Sequence, residues 1–226
     1  MMHPGDLQAL LLTFRLAVVS TVVLLVLGTP LAWWLATTKR PWRTFVDALV
    51  ALPLVLPPTV LGFYLLIFLG PQGPLGRLLE ALGLGPIVFT FTGLVFGSVI
   101  YSLPFVVQPI RDAFIALGPE PVEAAATLGA GPWSRFYTIA VPLARRGFLT
   151  AASLGFAHTL GEFGVVLMLG GNIPGQTRVV SIAIFDHVEA LDYSRAHTLA
   201  AVLLILSFTL LLVVQILNRQ KNRTVR

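Results

Sequence analysis

Five long blocks of mainly apolar residues, at about 10–37, 45–69, 87–110, 148–169 and 197–217, divide the chain. Within each block the apolar positions cover all sides of a helix instead of one stripe. Each block is also close to the roughly 20 residues that a helix needs to cross a bilayer. Strands of a membrane barrel would alternate apolar and polar positions over about 10 residues, and these blocks do not alternate. The pattern predicts an all-α membrane protein with about five transmembrane helices. Between the third and fourth blocks lies one substantial polar loop, 111–147. After the fourth comes GGNIPGQTR, then a stretch at 179–188 where Ile182, Phe185 and Val188 share a face, as in a short interfacial helix.

Charge orients these blocks. Basic residues sit at positions 39, 40, 43, 111, 135, 145, 146, 219, 221, 223 and 226, eleven of the 15 Lys and Arg in the chain. All eleven fall on one side if the N-terminus is outside and the C-terminus cytoplasmic, as the positive-inside rule requires. Arg15, Arg77, Arg178 and Arg195 then lie outside. The formal net charge of +5 therefore reports topology and does not call for a nucleic-acid partner. Composition agrees: 56% of residues are hydrophobic and 11% charged, against about 25% charged in soluble domains. The absence of cysteine excludes disulfides and thiolate chemistry. The first block is too long for a cleavable signal peptide and lacks a small-x-small cleavage site. The expected organisation is a transmembrane domain at 7–217 and a basic cytoplasmic tail at 218–226.

Two stretches break the apolar pattern. LPLVLPP at 52–58 places Pro53, Pro57 and Pro58 inside the second block, where each removes a backbone donor and bends a helix. The bend is either a packing kink or the wall of a path. In the polar loop, Gly118-Pro119-Glu120-Pro121 reads as a helix start, with Glu120 and Glu123 at the positive end of the dipole. The helix can run through Leu128, and Gly129 or Gly131 can supply a left-handed cap. Pro132 then opens a second short helix that Pro142 closes, with Trp133, Phe136 and Tyr137 on one face. Ala124, Ala125 and Ala126 leave the first helix smooth enough to lie in another protein's groove.

The loop spacing is specific. Glu123-Ala124-Ala125, Gly129, Ile139 and Pro142 reproduce the order EAA, three residues, Gly, nine residues, Ile-x-Val-Pro. This closely resembles the EAA loop of ABC-importer permeases, with Val141 where that family has Leu. TLGAGPWSRFYTIAVPL, LPLVLPPTVLGF, TLGEFG and GNIPGQTR together resemble the molybdate permease subunits, over about residues 7–217. LPLVLPP favours molybdate over sulfate permeases. The resemblance implies a type I ABC-importer permease fold in a multi-pass inner-membrane protein. It implies as partners a second copy of the chain, a cytoplasmic ABC ATPase dimer docked on the EAA loops, and an extracytoplasmic molybdate-binding protein. ATP and Mg would be used by the ATPase; the permease itself would bind no cofactor and catalyse no reaction.

Other residues carry candidate chemistry. Glu162, next to Thr159 in TLGEFG, has His158 one turn earlier on the same helical face. An ionisable residue within a span marks function by default. A metal half-site or a catalytic pair would need further ligands or a nucleophile, and none is evident. A carboxylate also repels an oxyanion. Glu162 is therefore expected to bond to backbone or to His158, or to shape a gate between Gly161 and Gly164. Asn172, Thr177 and Arg178 offer donors and a positive charge outside, for an oxyanion, a docking protein or an ordinary turn. GAGPWSR lacks the lysine of a phosphate loop, so an ATP-driven process needs another polypeptide. A sulfate or tungstate permease is the nearest alternative. An ATP-independent channel or secondary carrier leaves the EAA spacing unexplained, and a membrane enzyme lacks a catalytic set.

Overall fold

Helix α1 (Pro4–Thr37) starts where His3 caps the amide of Gly5 through Nδ1 at 3.3 Å, with Asp6 in the positive first turn. At about 1.5 Å per residue its 34 residues exceed the roughly 30 Å apolar core, so the helix emerges from the bilayer. The computed structural model describes residues 3–220, and the regular elements among them are all helical.

The second block was expected to be one bent helix at 45–69. Instead it divides into α2 (Arg43–Ala51), a 3-10 turn (Leu52–Leu54) and α3 (Pro58–Leu69). The prolines are the cause. Pro57 and Pro58 cannot donate to the carbonyls of the preceding turn, and Pro57 adopts extended ψ 136° while Pro58 opens α3. A short amphipathic helix, α4 (Pro74–Ala81), lies in the expected connection.

Helix α5 (Phe91–Leu117) continues past 110, where the third span was expected to end. Its inner end carries Arg111, which pairs with Asp47 of α2 and, at 2.8 Å, with Asp112. Next come α6 (Glu120–Thr127), α7 (Pro132–Arg135), a π-helical turn (Phe136–Ala140) and α8 (Val141–Leu143).

The fourth block is also broken. Helix α9 (Arg145–Leu160) and α10 (Gly164–Gly170) together are apolar enough to span but meet at 62°. A short helix, α11 (Val180–Glu189), forms in the stretch expected to be helical at 179–188. It is fastened to α1 by the amide of Val180 donating to Thr13 Oγ1 at 2.8 Å and by His187 bonding Asp6 at 2.9 Å. Helix α12 (Tyr193–Gln220) runs three residues into the stretch read as a tail; residues 221–226 of that tail lie outside the described residues.

Helices α1, α5 and α9 pack together around Leu24, Ala32 and Leu35 of α1, Val106, Val107, Ile110 and Phe114 of α5, and Ala151 of α9. Apolar transfer from water does not drive contacts inside a bilayer; close packing of small residues does. Helix α3 packs closely against α10 through glycines on both sides. A Cβ on Gly62 would lie 2.8 Å from Cβ of Met168, and one on Gly164 would lie 2.7 Å from Cβ of Pro58. The two half-helices thus touch backbone to backbone.

Candidate functional site

The polar loop forms a projecting elbow. Gly118, at φ 72°, ends α5 and turns the chain into α6. No residue of α6 is fully buried, and Glu123, Ala124 and Leu128 are exposed, Leu128 at 88%. Of the two candidate cap glycines, Gly129 is the left-handed one, at φ 86°; Gly131 is extended at φ −69°. The amide of Ala130 bonds the carbonyl of Ala125 and that of Gly129 the carbonyl of Ala126, both at 3.0 Å. These close the end of the helix as a Schellman-type cap.

The second arm anchors the elbow. Phe136 meets Trp33 of α1 edge-on at 5.4 Å, and Trp33 meets Phe114 of α5 at 4.9 Å. Ala140 is fully buried in the core and Ile139 half-buried. Trp133 and Tyr137 stack on each other, at 70% and 62% exposure. Pro142 does not close this arm as expected. The π turn, in which the amide of Val141 reaches the carbonyl of Phe136, widens the helix ahead of Pro142. Pro142 then sits in the first turn of α8, where its missing donor costs little. The arm ends at Ala144, at ψ 4°.

A second polar cluster lies where the fourth span breaks. The helix tightens at Gly161, whose amide bonds the carbonyl of His158 at 3.2 Å, and Phe163 leaves helical geometry at φ −128°. Glu162 stands in this break at 3% exposure. The expected His158–Glu162 pairing does not occur, because the break turns the two side chains to different partners. Ser98 of α5 donates to Glu162 Oε2 at 2.6 Å, and Ser102, one turn on, meets His158 Nδ1 at 2.8 Å. Ser102 also meets Thr159 Oγ1 at 3.2 Å, and Thr159 donates to the carbonyl of Gly155 at 2.9 Å. His158 stacks on Phe105 at 4.0 Å. The carbonyl of Glu162, freed by the break, accepts from Ser181 of α11 at 2.5 Å. Glu162 Oε1 is buried without a protein partner.

Ser98, Ser102 and Ser181 were not foreseen. The signal for two of them was present: Ser98, Tyr101, Ser102 and Phe105 recur at i, i+3, i+4 and i+7 on α5. At the outer turn, Asn172 donates to both carboxylate oxygens of Asp186 at 2.9 and 2.8 Å, and Arg178 Nε donates to Asn172 Oδ1 at 2.5 Å. Thr177 is fully buried and donates to the carbonyl of Gly170 at 2.6 Å. These three residues brace the turn onto α10 and α11, and Asp186 takes up the donors of Asn172. Pro57 and Pro58 stand apart from this turn, at the start of α3 against Gly164.

Broken spans around a packed core, with an exposed helical elbow on the side where the basic residues gather, have the architecture of a membrane permease component. The chain belongs to the binding-protein-dependent transport system inner membrane components, whose family model matches residues 28–226. It is 62% identical over 206 residues, 91% of each chain, to the molybdenum transport system permease protein ModB of Azotobacter vinelandii. It is 34% identical over 223 residues to the sulfate transport system permease protein CysT of Escherichia coli strain K12, covering 99% of this chain and 80% of that protein. Its fold matches a chain of a bacterial ABC transporter that imports alginate, with TM-score 0.74 and 18% identity, covering 100% of this chain and 82% of the other. It is thus a multi-pass inner-membrane permease component of the type I fold, and the ATPase of such a transporter is a separate subunit.

Proposed function

We propose that this chain is the membrane-spanning subunit of an ATP-driven importer whose cargo is molybdate. The 62% identity to a molybdenum permease across nine-tenths of both chains carries that reading. A sulfate permease is the second reading, supported by 34% identity over almost the whole chain. Tungstate, of nearly the same size and charge as molybdate, is a further cargo to test. In this reading two copies form the pathway, an ATPase dimer uses ATP and Mg on the cytoplasmic side, and a binding protein delivers the anion outside.

The elbow carries the coupling. Glu123, Ala124 and Ala125 present a smooth helix to the ATPase, and Gly129 sets the angle at which it projects. Ile139 and Pro142 belong to the arm that seats the elbow on the core. ATP binding closes the ATPase dimer and moves both elbows, and the difference in partner affinity between the two states shifts the permease from inward-open to outward-open. Pro57, Pro58 and Glu162 mark the two breaks at which the spans reorient, and Thr159 supports the second. Asn172, Thr177 and Arg178 shape the outer turn that meets the binding protein.

The test is uptake of labelled molybdate, tungstate and sulfate into proteoliposomes holding the permease, its ATPase and the binding protein. ATP-dependent molybdate uptake that excess sulfate does not compete away is expected. Sulfate uptake equal to or above that of molybdate overturns the reading in favour of the second.

A further inference from the structure

Glu162 occupies the one broken point of the fourth span, yet its side chain is fixed to a different helix. Ser98 and Ser102 are both fully buried and lie one turn apart on α5, the continuous 27-residue helix that leads into the elbow. They hold the break by two rungs, Ser98 to Glu162 at 2.6 Å and Ser102 to His158 at 2.8 Å. Ser102 also reaches Thr159 at 3.2 Å, and close-packed apolar contacts make up much of the rest of the seam between α5 and this span. A Cβ on Gly97 would lie 2.9 Å from Val165 of α10, and one on Gly155 of α9 would lie 2.6 Å from Val106. The elbow is therefore attached at both ends to one pair of helices, entering from α5 and leaving into α9. Helix α10, beyond the break, is the part of this span whose angle to α9 is free of a continuous helix, because the chain leaves helical geometry at Phe163 and turns by 62°. The two rungs sit at this break.

We infer that Ser98 and Ser102 are positioning residues for transport: they clamp the broken span onto α5, so that a movement of the elbow reaches the outer half-helix α10 instead of being absorbed at the break. The inference rests on the proposed function. Without the clamp, the ATPase still docks and the elbow still moves, but α10 and the α3 half-helix packed on it lag behind. Ser98 carries the larger share, because it alone holds Glu162 by a side chain, and Ser181 holds only the backbone carbonyl of that residue.

The experiment uses the assembled complex in proteoliposomes and compares wild type with Ser98→Ala, Ser102→Ala and Ser98→Thr. Alanine is a good helix former and removes only the hydroxyl. Threonine keeps the hydroxyl that donates to Glu162. ATP hydrolysis, molybdate imported per ATP, complex yield and melting temperature are all measured. For Ser98→Ala we expect ATP hydrolysis and assembly near wild type, with import per ATP falling about tenfold, the scale of one buried hydrogen bond lost. A smaller fall is expected for Ser102→Ala, and recovery of most of the import per ATP for Ser98→Thr. Unchanged import per ATP in Ser98→Ala overturns the inference, as does a loss that only follows the amount of assembled complex. A loss in Ser98→Thr equal to that in Ser98→Ala, with assembly intact, also overturns it, by showing that the hydroxyl is not what transport requires. If wild type hydrolyses ATP but imports none of the three oxyanions, the proposed function fails instead.

Discussion

Gly129 offers a sharp test of the elbow, because its surroundings separate backbone strain from steric clash. The residue sits at φ 86°, and a Cβ built on it would meet nothing within 4 Å. Any penalty of substitution is therefore local. For an L-residue the left-handed region costs about 1–2 kcal/mol, less for Asn and more for a β-branched side chain. We expect Gly129→Asn to be nearly neutral and Gly129→Ala to cost about 1 kcal/mol. Gly129→Val should approach the upper end of the roughly 1–3 kcal/mol typical of strained backbone. Strain that depopulates the docking-competent elbow raises the apparent Kd for the ATPase by the inverse of the remaining population. At about 1.4 kcal/mol per tenfold, alanine should weaken docking about fivefold and valine by up to about a hundredfold. Gly131→Ala is the internal control: its φ of −69° suits any residue, and its Cβ also meets nothing within 4 Å. The assay is a titration of ATPase onto permease in nanodiscs, with circular dichroism to show that the spans remain folded. Equal affinity for Gly129→Val and wild type, or equal losses for Gly129→Val and Gly131→Ala, would refute the elbow as the docking element.

Gly62→Val should destabilise the purified permease by about 1–3 kcal/mol, because the new Cβ meets Met168 backed by the α10 backbone; a thermal melt reads this, and an unchanged melt would deny the α3–α10 contact. Pro57→Ala combined with Pro58→Ala should let α2 and α3 fuse and should lower uptake with assembly intact; unchanged uptake makes the break a packing detail. Glu123→Gln removes a first-turn charge worth about 0.3–1 kcal/mol from an exposed position. Its melting temperature should barely move while oxyanion-stimulated ATPase activity falls; a proportional loss of both reduces Glu123 to a helix-dipole residue.

The spans and the elbow were legible in the residues because both depend on local patterns. Apolar runs identify helices wherever they pack, and Glu120, the alanines and the Gly129–Pro132 stretch prescribe a capped helix and a second arm. Breaks were harder. LPLVLPP signalled a bend, but a full separation into α2 and α3 depends on how Pro57 and Pro58 act together. At Glu162, helical spacing put His158 on the same face; that inference fails once Gly161 ends the helix, and the Gly-x-x-Gly spacing around the carboxylate was the available warning. Pro142 misled for a related reason, since a π turn upstream changes which carbonyl each amide seeks. The partners of Asn172 and Glu162 could not be read locally: Asp186 lies 14 residues on, and Ser98 lies 64 residues back.

The break at Leu52–Pro58 has a consequence for biogenesis. Helix α2 covers about 13 Å ahead of it and α3 about 18 Å after it, at about 1.5 Å per residue. Val55 there is 82% exposed and Leu52 and Leu54 nearly half exposed, with the carbonyls ahead of Pro57 and Pro58 deprived of their helical donors. Lipid cannot hydrogen-bond such groups; only protein or a watery cavity can. A chain inserted alone therefore leaves these carbonyls dependent on water until protein covers the segment. The chain's lifetime in the cell should follow the supply of its assembly partners.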